Sequence, residues 1–96
     1  MANGTYHVVN RATGKYLDNL GATTDGATVG QWASSTSNNQ KWTLTYSGGY
    51  YKLICVSSGK ALDSYNHTAD ASTIAQWTSG GSTNQQWTIV PIGSYF

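Results

Sequence analysis

Two stretches, Gly14-Lys15-Tyr16-Leu17-Asp18 and Asn39-Gln40-Lys41-Trp42-Thr43, decide the fold of this chain because each of them occurs twice. The first recurs as Gly59-Lys60-Ala61-Leu62-Asp63 and the second as Asn84-Gln85-Gln86-Trp87-Thr88, both displaced by 45 positions. Without any gap, residues 3–47 and 48–92 are identical at 17 of 45 aligned positions. Self-similarity at a fixed period is the signature of a repeat architecture. The chain is therefore predicted to contain two units with the same fold.

The same displacement sets the boundaries of the units. Repeat 1 covers residues 3–47 and repeat 2 covers residues 48–92, within a single domain of residues 1–96. Residues 93–96 align with the opening residues of repeat 2 and are interpreted as the stub of a third repeat.

Local patterns inside each unit are those of β-strands. The segment Trp42-Thr43-Leu44-Thr45-Tyr46 alternates apolar and polar residues, and Leu53-Ile54-Cys55-Val56 is a short apolar run. Each unit is predicted to hold four strands, roughly at 5–10, 15–19, 28–33 and 41–46 and at the corresponding positions of repeat 2. A propeller blade also has four strands in a similar length, so the period alone leaves both architectures open.

The composition excludes several classes of partner. Charged residues make up 9% of the chain and the formal net charge is +1, so no basic stripe can neutralise a row of phosphates. Nucleic acid is therefore not an expected partner. The single cysteine excludes an intrachain disulfide. No apolar run approaches a membrane span and the N-terminus has no signal-peptide pattern, so we expect a soluble chain without membrane contact and leave its localisation open.

The order and spacing of Gly-Lys-x-Leu-Asp, Gln-Trp and Asn-Gln-x-Trp in both units resemble the repeat of ricin B-type lectins, a family often secreted, and of the related family 13 carbohydrate-binding modules. Gln40-Lys41-Trp42 and Gln85-Gln86-Trp87 are similar to the Gln-x-Trp signature of that family. The resemblance implies an all-β chain folded as a β-trefoil, in which three repeats pack about a pseudo-threefold axis. We assign to its core Trp42, Trp87, Leu17, Leu62, Val29, Ile74, Leu44 and Ile89, with Cys55 beside them.

The resemblance also implies one shallow sugar pocket in each repeat, and hence a lectin module for galactose-type sugars, with xylan-type sugars as a second possibility. A carboxylate can accept hydrogen bonds from two sugar hydroxyls, and an aromatic face can cover the apolar side of a sugar ring. The family's Asp matches Asp18 and Asp63, its aromatic platform matches Trp32 and Trp77, and its amides match Asn39 and Asn84, with Gln40 and Gln85 beside them.

Two features make the pockets unusual. In the family a Gln commonly stands two residues before the stacking aromatic, where this chain has Gly30 and Ala75, with Gln31 and Gln76 one residue later. Repeat 2 has Tyr65 where repeat 1 has Leu20, so only the second pocket can gain another aromatic wall. The two pockets are therefore expected to differ in affinity.

Two functions other than sugar binding are compared with the residues present. An enzyme is not expected, because a glycosidase usually needs two carboxylates in unlike environments. The four Asp residues form two repeat-equivalent pairs, Asp18 with Asp63 and Asp25 with Asp70, and we interpret the second pair as loop turns. No cofactor or metal site is expected, since His7 and His67 lack partners at ligand spacing. A scaffold or interaction module with decayed pockets is the main alternative.

Two repeats leave a trefoil incomplete. A repeat cannot bury its apolar face alone, and a barrel that lacks one unit exposes strand edges. We therefore expect a homo-oligomer, with a trimer favoured because three chains carry six repeats, enough for two complete trefoils. The stub at 93–96 would lead into or pair with a neighbouring chain.

Overall fold

The computed structural model describes residues 1–95, and Phe96, the end of the predicted stub, lies outside the described residues. The described chain is all-β, with two single 3₁₀ turns at Asn38–Gln40 and Thr83–Gln85. Its strands are β1 Gly4–Tyr6, β2 Tyr16–Asp18, β3 Gly30–Trp32, β4 Trp42–Ser47, β5 Tyr50–Cys55, β6 Ala61–Asp63 and β7 Ala75–Trp77. No helix within the described residues has the length and hydropathy needed to span a membrane.

Seven of the eight predicted strand regions contain a strand. The eighth region, 86–91, does not, and its backbone pairing is limited to an isolated bridge between Trp87 and Tyr51. Its counterpart in repeat 1, β4, is flanked by β1 on one side and β5 on the other. A segment with a partner on one side only lacks half of the ladder that would hold it extended.

The hairpin of β4 and β5 joins the two repeats. Its register places Trp42 opposite Cys55 and Ser47 opposite Tyr50. Gly48 and Gly49 form the turn with φ values of 61° and 87°, a left-handed conformation that glycine adopts without steric cost. The five-stranded sheet has the order β1-β4-β5-β6-β7, and β2 pairs with β3 in a separate hairpin.

The core lies between the two repeats and agrees with most of the predicted positions. Val29, Trp42, Leu44, Leu53, Cys55 and Leu62 are buried, while Leu17, Trp87 and Ile89 are half-buried against them. The prediction that Ile74 is buried is wrong, because 37% of this residue is exposed. Its repeat equivalent Val29 is only 8% exposed, because it packs in the core cluster and its backbone N–H donates to the Ile74 carbonyl of repeat 2. Within residues 1–95 no further unit covers Ile74 in the same way.

A loop of repeat 1 holds the two units together through Asp25. Its carboxylate accepts hydrogen bonds from the Lys60 ammonium at 2.8 Å and from the Thr78 backbone N–H at 2.8 Å. The Thr78 hydroxyl lies 2.9 Å from the second carboxylate oxygen. The hydrogen bond from Lys60, assisted by those from Thr78, lowers the pKa of Asp25 below its ordinary value of 3.8. The sequence interpretation of Asp25 as a simple loop turn missed this junction.

The Asp25 junction predicts how stability depends on pH. Because the pKa of Asp25 is lower in the folded than in the unfolded chain, its contribution is complete above about pH 5 and is lost as the pH falls through the folded-state value. We expect Asp25→Asn to reduce the acid-induced loss of stability, measured by urea unfolding at a series of pH values.

Lys60→Gln should flatten the pH profile in the same direction but less, because the Thr78 hydrogen bonds to the carboxylate remain. Lys52→Gln is the matched control, because the Lys52 ammonium binds the Ser79 hydroxyl and the Gly80 carbonyl rather than a carboxylate. An Asp25→Asn profile as steep as that of the parent chain would contradict this role.

Candidate functional site

In each repeat one strand ends at a buried aspartate, and both oxygens of its carboxylate accept hydrogen bonds from the protein. Asp18, at the end of β2, is 5% exposed, and its Oδ1 accepts from the backbone N–H of Leu20 at 2.6 Å. Its Oδ2 accepts from the side-chain amide of Gln40 at 2.9 Å. Each oxygen of an ionised carboxylate has room for a second hydrogen bond. The carboxylate is therefore fixed in place without being saturated.

Repeat 2 reproduces this arrangement at Asp63. The residue is 6% exposed, and its two oxygens accept from the Tyr65 backbone N–H at 2.7 Å and from the Gln85 amide at 3.0 Å. The identity between the repeats therefore extends from the sequence to individual hydrogen bonds.

The Gln of the Gln-x-Trp signature is a buried residue that hydrogen-bonds both the carboxylate and the adjoining loop, a role called here the bracket. Gln40 has no exposed surface, and its amide nitrogen also donates to the Ala33 carbonyl at 2.8 Å. Its amide oxygen accepts from the backbone N–H and the hydroxyl of Ser35 at 2.9 and 3.1 Å. Gln85 makes the equivalent bonds to Thr78 and Gly80. Both amides therefore use their hydrogen-bonding groups within the protein.

The Trp of the signature holds the strand from which the carboxylate projects. The indole N–H of Trp42 donates to the Leu17 carbonyl at 3.0 Å, and that of Trp87 donates to the Leu62 carbonyl at the same distance. Since Leu17 directly precedes Asp18, one Gln-x-Trp triplet holds two successive residues of β2. A single signature thus joins the core to the carboxylate.

A serine cap, which the sequence analysis does not predict, stabilises the 3₁₀ turn that leads into each Gln-x-Trp signature. The hydroxyl of Ser37 accepts from the Asn39 backbone N–H at 3.1 Å, and Ser82 does the same for Asn84. A Ser that accepts from a nearby backbone N–H stabilises the first turn of a helical segment. The spacing Ser-x-Asn-Gln, present in both repeats, could have indicated these caps.

A cleft opens above each carboxylate. Site 1 has a volume of about 380 Å³ and site 2 has a volume of about 410 Å³. The predicted Asp, Trp and Asn line both of them: Asp18, Trp32 and Asn39 in site 1, and Asp63, Trp77 and Asn84 in site 2. Gln85 also lines site 2, whereas Gln40 does not line site 1.

The four tryptophans divide as the sequence predicts. Trp32 is 63% exposed and Trp77 is 42% exposed, whereas Trp42 is completely buried and Trp87 is half-buried. An indole face in a cleft can receive the apolar face of a ligand, and the indole N–H remains available at the ring edge.

The two sites differ in one wall. The Tyr65 ring meets the Trp77 ring edge to face, with centroids 5.8 Å apart, and the His67 ring stacks on the Tyr65 ring with centroids 5.5 Å apart. Site 1 has the aliphatic Leu20 in place of Tyr65. Site 2 is therefore a corner of two aromatic rings, and site 1 has a single aromatic ring.

Gln31 and Gln76 do not take the place of the family's pocket Gln. They lie on the opposite strand face from Trp32 and Trp77, and neither lines a site. Gln31 accepts from the Thr13 hydroxyl at 3.0 Å, and Gln76 accepts from the Ser58 hydroxyl at 2.9 Å. Within residues 1–95 no group of three His, Cys, Asp or Glu side chains is placed to hold a metal ion.

The chain matches the family model described as the ricin-type beta-trefoil lectin domain-like family, over residues 1–77 and again over residues 38–96. Among curated protein sequences none matches the chain significantly.

Solved structures with lectin-type folds are similar to this chain. The designed threefold-symmetric protein ThreeFoil is 43% identical with a TM-score of 0.89, over 96% of this chain and 68% of that protein. An exo-β-1,3-galactanase from Clostridium thermocellum is 38% identical with a TM-score of 0.85, over 94% of this chain and 20% of the galactanase. The Polyporus squamosus lectin bound to Neu5Acα2-6Galβ1-4GlcNAc is 28% identical with a TM-score of 0.78, over 88% and 30%. The chain thus spans only a small part of the latter two proteins.

The bracket role of Gln40 predicts a large loss of stability for Gln40→Leu. The substitution leaves the buried carboxylate of Asp18 without one partner and breaks the partly buried hydrogen bonds to Ala33 and Ser35, which together should cost about 3 kcal/mol of the free energy of unfolding. Gln86→Leu is the matched control, since Gln86 is exposed, and it should change stability by less than about 0.5 kcal/mol. Equal effects of the two substitutions in urea unfolding would contradict the bracket.

Proposed function

Because the chain belongs to the ricin-type β-trefoil lectin domain-like family, whose fold and solved relatives are those of carbohydrate-binding domains, we propose that it binds galactose-type sugars in sites 1 and 2. The observation that supports this most directly is the pairing, in both clefts, of a fixed but unsaturated carboxylate with an exposed indole face.

Each side chain has a distinct role in the proposed complex. The carboxylate of Asp18 or Asp63 accepts hydrogen bonds from two neighbouring hydroxyls of the sugar. The indole of Trp32 or Trp77 covers the apolar C–H face of the ring and excludes water from it. Asn39 and Asn84 add a donor and an acceptor at the rim. Gln40 and Gln85 act as positioning residues, because they already use their amide groups to hold the carboxylates and the adjoining loops.

Two of the similar structures favour a galactose-type ligand over a xylan-type one. One is a galactanase and the other is a lectin bound to a glycan that contains galactose. Shallow sites of this kind are expected to bind a monosaccharide at about the millimolar level, roughly −4 kcal/mol.

Binding without catalysis fits the carboxylates of this chain. Asp18 and Asp63 have matching partners, distances and burial, whereas glycoside hydrolysis needs one carboxyl group to be protonated and the other ionised. We therefore propose that this chain binds sugars without hydrolysing them.

A non-binding scaffold remains the second candidate because of one observation. Gly30 and Ala75 stand where the family commonly has a pocket Gln, and Gln31 and Gln76 do not line either site. A folded chain that binds no galactoside or xylo-oligosaccharide would favour the scaffold.

The two-site proposal predicts how substitutions change lactose binding, measured by isothermal titration calorimetry. Trp32→Ala and Trp77→Ala should each remove one site, and the double variant should lose binding, with affinity reduced about tenfold or more per site. These exposed residues can be replaced with little cost to the fold.

Tyr46→Ala is the matched control, because Tyr46 is an exposed aromatic residue outside both clefts. Lactose binding that persists unchanged in the folded double variant would show that the sugar binds elsewhere.

The second aromatic ring of site 2 predicts unequal affinities. In the Trp32→Ala background, which leaves site 2 alone, Tyr65→Leu should weaken lactose binding about 2- to 10-fold, because it removes an edge-to-face partner of Trp77. The parent site 1, measured in the Trp77→Ala background, should resemble this weakened site. Equal affinities in all three chains would exclude a role for Tyr65.

A further inference from the structure

The aromatic platform of site 2 is held by a loop of repeat 1, residues 25–27. The backbone N–H of Gly26 donates to the Gln76 carbonyl at 2.8 Å, and the Gln76 N–H donates to the Ala27 carbonyl at 3.0 Å. Gln76 directly precedes Trp77 in the chain. The loop therefore fixes the backbone on one side of the platform.

The same loop holds the residue that follows Trp77. The Asp25 carboxylate accepts from the Thr78 backbone N–H at 2.8 Å and from the Thr78 hydroxyl at 2.9 Å. The carbonyl of Thr78 accepts from the bracket amide of Gln85 at 3.0 Å. Thr78 lines site 2, so repeat 1 also shapes the cleft through this residue.

The second aromatic wall of site 2 rests on the loop as well. A Cβ atom added to Gly26 would lie 2.9 Å from Cε1 of Tyr65 and 3.1 Å from its hydroxyl oxygen. The first distance is shorter than real Cβ contacts, so a side chain at position 26 cannot coexist with the Tyr65 ring in its present place. That ring also meets Trp77 edge to face. Glycine at position 26 therefore leaves the room that the ring needs beside Trp77.

Site 1 is built differently. Leu20, the equivalent of Tyr65, packs on Gly30 of its own repeat, where an added Cβ would lie 3.1 Å from Leu20 Cδ1. Ala33 replaces Thr78 and has no hydroxyl to offer a carboxylate. The residues that line site 1 all belong to repeat 1. The loop at 25–27 therefore acts on one of the two clefts.

We propose that Gly26 and Asp25 are positioning residues of site 2, so that the affinity of this site for a galactose-type sugar depends on how repeat 1 packs against repeat 2. The inference rests on the proposed function of site 2. Neither residue lines the cleft. Gly26 acts through the Tyr65 ring, and Asp25 acts through Thr78.

The test is a double-mutant cycle on lactose binding, measured by calorimetry in the Trp32→Ala chain, in which site 2 alone remains. Gly26→Ala should weaken lactose binding about 2- to 10-fold, because the added Cβ displaces the Tyr65 ring from Trp77. Combined with Tyr65→Leu, the same substitution should change the affinity by less than about twofold, since the ring it displaces is gone. A general structural effect of Gly26→Ala would persist in both chains.

Gly14→Ala is the matched control for backbone strain. Gly14 has a φ of 70° and Gly26 has a φ of 85°, so alanine is strained at both positions. A Cβ added to Gly14 would meet no atom within 4 Å, and the affinity of site 2 should stay unchanged. In the Trp77→Ala chain, where site 1 alone remains, Gly26→Ala should also leave the affinity for lactose unchanged.

Asp25→Ala tests the second contact without a residue in a left-handed conformation. In the Trp32→Ala chain it should weaken lactose binding about 2- to 3-fold, because Thr78 loses the acceptor that holds it at the cleft. Asp70→Ala is the control, since Asp70 is the repeat equivalent, is exposed and takes part in no ion pair among residues 1–95.

The outcomes separate this inference from the function on which it rests. It is overturned if folded Gly26→Ala and Asp25→Ala chains keep the parent affinity at site 2, if Gly26→Ala costs as much without Tyr65 as with it, or if site 1 weakens equally. A Trp32→Ala chain that binds no lactose overturns it too, because site 2 is then not a sugar site. A folded parent chain that binds no lactose overturns both the inference and the proposed function.

Discussion

One buried amide in each repeat connects the core of this protein to its surface clefts. Gln40 and Gln85 bind a carboxylate with one end of the amide and a loop with the other, and neither is accessible to solvent. A buried amide that loses a partner costs more than an ordinary hydrogen bond contributes, so these brackets allow little variation in the cleft. The Trp two residues later, whose indole binds the same strand, makes the signature a structural unit.

Because Gln40 and Gln85 hold the carboxylates, the geometry of each pocket is fixed even though the pocket is shallow. Asp18 reaches the cleft with one hydrogen bond already made at each oxygen, so its orientation is set before any ligand arrives. Trp32, by contrast, is mostly exposed, so it offers an apolar face to a ligand but does little to hold the cleft in shape. A rigid polar group beside an exposed aromatic face lowers the ordering cost of binding. Repeat 2 keeps this division and adds Tyr65 against Trp77.

The sequence predicted what the repeats share and missed what distinguishes their environments. Local identity was enough to predict the positions of Asp18, Trp32 and Trp42, because the hydrogen bonds that hold Asp18 and the Trp42 indole lie within repeat 1. The exposure of Ile74 and the missing strand at 86–91 depend on what lies beside repeat 2, which periodicity does not reveal. The junction at Asp25 was missed for a similar reason, since its partners Lys60 and Thr78 belong to the other repeat. The serine caps are the exception, because the repeated spacing Ser-x-Asn-Gln is enough to predict them from the sequence.

The central claim, that each repeat carries a sugar site between a bracketed Asp and an exposed Trp, can be tested most directly by ¹H–¹⁵N NMR. The four indole N–H signals give one probe for each tryptophan. During a titration with lactose the account predicts saturable shifts for the indoles of Trp32 and Trp77 and little change for Trp42 and Trp87. Shifts confined to Trp42 and Trp87, or no saturable shift of any indole with galactosides or xylo-oligosaccharides, would contradict it.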